Sequence, residues 1–290
     1  LKTLTSIEQW ARILWLSRYS EDKLIAIGFA AYFDASGKRE QHPVIMVGGA
    51  VAPVYKWSRF ETDWQAILHR EGVNEFHATD FAASQGEYKG WRGQKERRRK
   101  FIADLYGVIK RNTNKFFCTG VEIDAWTSVN RDYMLDEYWH SPYAMCGSAV
   151  VRQALKWAKG KNVPKTNLKF IFEEGDAEWE GLKTLCNLMG VYPAPLPKQE
   201  AVPCQVGDLI AWKTRIAFSN ALEKYTRFIA TPYPASVKEF EELRAEENSL
   251  MTIMEVRPNT HGIMGTERLI ENCEMFNVPK RAKDETKIRV

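Results

Sequence analysis

The sequence predicts an α/β fold: a mixed sheet with an antiparallel first hairpin and later parallel strands, flanked by helices, with N- and C-terminal helical extensions. Two patterns in the sequence carry that reading. Apolar runs of strand length occur at 25–34, 44–52, 115–124 and 168–173. Around them, apolar residues recur at spacings of three and four over about 55–70, 95–111, 141–159, 178–189 and 205–224, which is the helical period.

The elements follow in order. Ser6 and Gln9 form a capping-box pair, and Ile7, Trp10, Ile13 and Leu14 share one face, so 6–18 is expected to be an amphipathic helix lying outside the core. The run 25–34 is apolar on both faces and ends in Asp34, with Ala35-Ser36-Gly37 expected to break it. The β-branched run 44–52, closed by Pro53, pairs back as a hairpin. Trp57, Phe60, Trp64, Ile67 and Leu68 mark the helix at 55–70. Residues 75–81 are irregular, with a short strand at 75–78 an available reading, and 84–93 is loop-like with three glycines. Phe101, Ile102, Leu105, Tyr106 and Ile109 then align one face of a helix at 95–111. In the second half strands alternate with helices, the signature of parallel pairing. The proline-rich stretch 191–203 cannot continue a helix, and 205–224 resumes one. Beyond Pro232 a charged helix is expected at 236–248 and a frayed tail at 279–290. The division expected is an N-terminal helix (1–24), a core (25–230) and a C-terminal helical extension with tail (231–290).

Bulk properties narrow the function classes. The 290 residues, 44% hydrophobic, suffice for one sizeable core with appended segments. Five isolated cysteines, with no C-x-x-C pair, suggest reduced and buried thiols rather than disulfides or zinc. No apolar stretch approaches the roughly 20 residues of a membrane span, and no secretory signal pattern or N-x-S/T acceptor occurs. A cytoplasmic protein without membrane contact is therefore expected. The net charge of +4 permits a polyanionic partner without requiring one. There is no G-x-x-x-x-G-K-[ST], no G-x-G-x-x-G after a strand and no G-x-S-x-G, so nucleotide triphosphatase and serine hydrolase chemistry lack their motifs.

Carboxylates at strand ends offer a different chemistry, because binding groups in α/β sheets gather there. Asp34 closes the first run, Glu173 closes a later one with Glu174 and Asp176 close behind, and Asp208 is expected in the first turn of the helix after the prolines. If the fold brings Asp34, Glu173 and Asp208 together, they form a hard-oxygen site suited to Mg²⁺ or Mn²⁺ and to phosphodiester hydrolysis. Each also has a plainer reading: Asp34 in an Asx-turn, Asp208 favoured by the helix dipole, and the Glu173 cluster as a solvated loop. His77 and Asp80 are auxiliary candidates, with His77 equally readable as a packed imidazole. Arg92 and the run Arg97, Arg98, Arg99 and Lys100 are candidates to grip nucleic-acid phosphates, and Trp91, between Gly90 and Arg92, to stack on a base.

Four of these segments, in order, resemble the domain of unknown function 3800 family. They are Phe33-Asp34-Ala35-Ser36-Gly37, Val47-Gly48-Gly49, Glu75-Phe76-His77-Ala78-Thr79-Asp80, and Gln205-Val206-Gly207-Asp208-Leu209-Ile210-Ala211-Trp212. The resemblance spans about 25–224 and implies a ribonuclease H-like fold with metal-dependent nuclease activity. Two departures stand out: Ala35 replaces the second acid of the opening turn, and a glutamate stands after the later strand where many relatives carry aspartate. Glu173 is taken as the ligand by analogy of position. The expected function is a DNA- or RNA-cleaving nuclease using Mg²⁺ or Mn²⁺. A non-catalytic nucleic-acid-binding or scaffold protein, and strand transfer or junction resolution, are the alternatives, with a homodimer or a protein partner left open.

Overall fold

The computed structural model describes residues 5–15, 28–37, 41–175, 178–197, 199–230 and 261–281. It opens with helix α1 (Ser6–Trp15) and the antiparallel pair β1 (Phe29–Ser36) and β2 (Val44–Pro53). Helices α2 (Val54–Glu71), α3 (Ala78–Ala83) and α4 (Lys95–Asn112) follow, with a 3₁₀ turn at Gly86–Trp91. Strand β3 (Lys115–Glu122) leads to α5 (Ile123–Val129), α6 (Leu135–Tyr138) and α7 (Pro142–Gly160). Then come β4 (Leu168–Glu173), α8 (Trp179–Leu188), β5 (Ala194–Leu196), α9 (Cys204–Ala230), β6 (His261–Met264) and α10 (Thr266–Met275).

The strands form one mixed sheet in the order β5-β4-β1-β2-β3-β6. β1, β2 and β3 run as an antiparallel meander, whereas β4 is parallel to β1, β5 to β4, and β6 to β3. Alternation along β1 divides the core into two layers. Ala30 and Tyr32 face a cluster built with α2, α4 and α9, while Ala31 and Phe33 face one built with α7, α8 and α10. The helices on each face present apolar stripes to the sheet, so burial of those stripes is the main stabilising term. Polar contacts then fix individual elements. The Trp57 indole donates to the Ala30 carbonyl at 2.8 Å, tying α2 to β1. The Glu61 carboxylate of α2 accepts from the Ile7 amide at 3.2 Å and from the Ser6 hydroxyl, which docks the N-terminus of α1 on α2. The expected position of α1 outside the core is corrected, because Ile7 and Ala11 are buried in it. On the other face Ser141 caps α7 by accepting from the Ala144 amide at 3.1 Å, with Pro142 in the first helical turn.

Several expectations are corrected. β1 does not stop at Asp34; pairing continues through Ser36, and the break falls at Gly37, whose φ of +102° suits glycine alone. Residues 75–78 form no strand. Their backbone is held by side chains of α9 instead of by a neighbouring strand, and Ala78 starts α3. The stretch after α8 contributes strand β5, and residues 261–281 bring β6 to the sheet edge and α10 onto the core. The C-terminal region is thus partly core, not wholly an extension. The expected helix at 236–248 and all but the first residues of the expected tail lie outside the described residues. No helix among the described residues is long and apolar enough to cross a membrane, and none of the five cysteines, all of them buried, is in a disulfide.

Candidate active site

The register of two parallel strands builds the first half of the site. Phe33 of β1 pairs with Phe172 of β4, and their rings stack on one face of the sheet with centroids 5.2 Å apart. One residue further along each strand, Asp34 and Glu173 therefore stand on neighbouring strands, on the opposite face, about 4.8 Å apart in backbone spacing. Asp34 is 9% exposed, and its Oδ1 accepts from the Ala35 amide at 2.7 Å. Glu173 is half-buried, with Oε2 fully enclosed, whereas Glu174 is exposed and its amide donates to the Leu196 carbonyl. Glu173 is accordingly the inward acid of the pair, and Asp176 lies outside the described residues.

Helix α9 crosses the same face and supplies the rest. Its close approach depends on two glycines: a Cβ on Gly207 would lie 2.6 Å from the Asp34 amide nitrogen, and one on Gly48 would lie 2.9 Å from the Ala211 amide nitrogen. Asp208, next to Gly207, is thereby brought over β1 with only 4% of its surface exposed. It sits just past the first turn of α9, since the helix starts at Cys204. Its Oδ2 accepts from the Ala78 amide at 2.9 Å, at the N-terminus of α3. One turn earlier, the Gln205 side-chain carbonyl accepts from the Trp64 indole at 2.8 Å and the Phe76 amide at 2.9 Å. The start of α9 is thus a bracket for residues 76–78.

That bracket fixes the backbone on both sides of His77. Its side chain is half-exposed, and Nδ1 lies 3.2 Å from Asp80 Oδ2. His77 and Asp80 make an outward-facing pair anchored, through Ala78, to Asp208. Sequence reasoning missed two further members, Ser36 and Arg215. Arg215 follows Asp208 by seven residues, two helical turns, and so occupies the same face of α9. It is 6% exposed, and its Nε donates to Ser36 Oγ at 3.0 Å. Burial lowers its pKa, and the charge of Asp208 acts in the opposite direction. The seven-residue spacing was a visible signal, but only the strand register shows that it faces β1.

The basic run divides. Arg97 donates to Glu71 Oε2 and the Glu71 carbonyl, both at 3.0 Å, and its guanidinium covers the Trp91 ring at 4.0 Å. Arg98 donates to Ser84 Oγ and the Phe81 carbonyl at 2.7 Å each, closing the C-terminus of α3. Both are built into the fold. Arg99 pairs with Glu96 and Lys100 with Asp104 at the surface, and Arg92 is exposed. Trp91 is 4% exposed, packed among Phe81, Tyr88 and Phe101. The expectation that it offers a stacking face is corrected: its neighbours and Arg97 occupy that face.

Asp34, Glu173 and Asp208 thus share one face of the sheet, at the carboxyl end of β1 and β4. Among the described residues no group of three or more His, Cys, Asp or Glu side chains is drawn together closely enough to hold a metal ion. Comparison with known proteins returns no matching family model, no matching curated protein and no matching solved structure.

Proposed function

We propose that the chain is a ribonuclease H-like, metal-dependent nuclease of the domain of unknown function 3800 kind, with Asp34, Glu173 and Asp208 as its acids. The antiparallel opening hairpin and the parallel β4 and β5 agree with the sheet that the resemblance implies. The observation that carries the reading is the adjacency of Asp34 and Glu173 on parallel strands, under the helix that carries Asp208.

The donor set fits Mg²⁺ or Mn²⁺ in kind, being all carboxylate oxygen on rigid elements. It fits less well in number, because one oxygen of Asp208 is held by Ala78. Ala35 faces the opposite layer of the core and leaves the donor set unchanged. Bound there, a divalent ion would activate water and stabilise the leaving oxygen of a phosphodiester. The chain's own contribution is to hold the three acids on one face of the sheet, Asp34 and Asp208 buried and Glu173 half-buried, with the His77–Asp80 pair tied to Asp208 through the Ala78 amide. Of the predicted cations, Arg92, Arg99 and Lys100 are exposed and available to guide a DNA or RNA strand.

The second reading, a non-catalytic nucleic-acid-binding protein on the same fold, is favoured by the lack of a preassembled three-acid cluster among the described residues. One experiment separates them: cleavage of labelled single- and double-stranded DNA and RNA with Mg²⁺, Mn²⁺ or EDTA, using wild type, Asp34→Asn and Asp208→Asn. Outer-shell partners of metal sites cost about 10–100-fold when removed, and loss of a ligand is expected to cost at least that. Metal-dependent cutting that survives in both variants sinks the assignment. Binding without cutting on every substrate selects the second reading.

A further inference from the structure

We propose that Arg215 and Ser36 form an anion subsite that holds a phosphate of the nucleic-acid strand beside the acids. The inference rests on the nucleic-acid reading above and deepens it by assigning a residue to the strand itself. Arg215 is 94% buried, and its only hydrogen bond among the described residues runs from Nε to Ser36 Oγ. No described carboxylate lies within salt-bridge distance of it, although more exposed arginines such as Arg70, Arg97 and Arg268 all have such partners. Its stem is clamped against Gly37, with Cδ 3.0 Å from where a Cβ would stand on that residue.

A guanidinium cannot shed its proton in a protein, so a buried one calls for a compensating negative charge. Asp208, two helical turns earlier on the same face, attracts it, but the Nε hydrogen bond goes to Ser36 Oγ. The two terminal nitrogens make no hydrogen bond among the described residues and are not fully enclosed, so their four N–H groups can meet an acceptor arriving from solvent. Their planar fork matches two non-bridging phosphate oxygens. Ser36 completes the subsite, because its oxygen accepts from Arg215 while its own proton is available to donate. Ser36 lies two residues along β1 from Asp34, on the same face and about 7 Å away. A phosphate at Arg215 would thus neighbour the acids without displacing them.

The test uses the full chain with labelled single- and double-stranded oligonucleotides of DNA and RNA, in EDTA, over a series of NaCl concentrations. Arg215→Met is expected to weaken binding at least tenfold and to reduce the slope of log K against log[NaCl] by about 0.7–0.9, one phosphate contact. Arg215→Lys is expected to keep the slope and lose part of the affinity. An unchanged slope in Arg215→Met overturns the proposal, as does the absence of wild-type binding to every oligonucleotide. Should Arg215→Met fail to fold, the thermal shift produced by inorganic phosphate at constant ionic strength replaces it. Stabilisation of wild type that shrinks in Arg215→Lys supports the subsite, and no shift in wild type overturns it. Because binding is read without metal, a chain that never cuts would end the nuclease reading while leaving this measurement decisive.

Discussion

Gly207 and Asp34 meet backbone to backbone: a Cβ on Gly207 would stand 2.6 Å from the Asp34 amide nitrogen and 2.9 Å from its Cβ. The nearest atoms belong to the main chain and to the root of a side chain, so no rotamer change relieves the clash. Gly207→Ala is therefore expected to destabilise the protein by about 1–3 kcal/mol, the usual cost of overpacking, even though alanine is the better helix former. It would also push α9 away from β1 and separate Asp208 from Asp34. Urea denaturation checks the first effect, and a neutral or stabilising result would contradict the close approach.

The bracket at the start of α9 gives a second prediction. Gln205→Leu removes the acceptor of two buried donors, the Trp64 indole and the Phe76 amide. Each donor left unsatisfied costs about 1–3 kcal/mol, so a loss of at least about 2 kcal/mol is expected. Amide exchange should accelerate locally at Phe76 and Ala78, which the bracket holds. A destabilisation below that bound would mean that water takes over the bonds.

Parts of the site were legible in the sequence for definite reasons. Asp34 and Glu173 end apolar runs that only a buried strand explains, and Asp208 follows a helix start after prolines. Their adjacency was not legible, since it depends on the Phe33–Phe172 register between strands separated by well over a hundred residues. Trp91 looked exposed because Gly90 and Arg92 flank it, yet its cage is assembled from Phe81, Tyr88 and Phe101, which sequence order does not bring together. Strands β5 and β6 are three and four residues long, too short for a periodic pattern to register. Arg215 escaped notice because a lone arginine in a helix is ordinarily a solvated one.

The division of the basic run is testable in one series. Arg97→Ala and Arg98→Ala remove bonds to Glu71, Phe81 and Ser84 and uncover Trp91 and Phe81, so each should lower stability by about 1–2 kcal/mol. Arg99→Ala, which breaks only an exposed pair with Glu96, should stay within about 0.5 kcal/mol of wild type. In oligonucleotide binding the order reverses, with Arg99→Ala reducing the salt slope by about 0.7–0.9 at unchanged stability. If Arg99→Ala leaves the slope unaltered, this face is not part of the strand path.

The same arginine cluster sets a pH dependence. Burial alone would raise the Glu71 pKa, but hydrogen bonds from Arg97 and Arg70 outweigh it and hold the group below its ordinary 4.5. Asp104 is likewise held below 3.8, chiefly by its hydrogen bond from Lys100 and also by Arg70. Both acids bind protons more weakly in the folded chain than in the unfolded one. Their stabilisation is therefore complete above the ordinary carboxylate range and is lost as pH falls through the depressed folded values, where the unfolded state takes up more protons. The urea midpoint of wild type should fall between about pH 5 and pH 3, and the fall should be shallower in Arg70→Ala, which loosens both acids at once. Arg97→Ala should flatten only the part due to Glu71. Parallel curves for wild type and Arg70→Ala would show that these ion pairs, though well formed, do not differ in proton affinity between the two states.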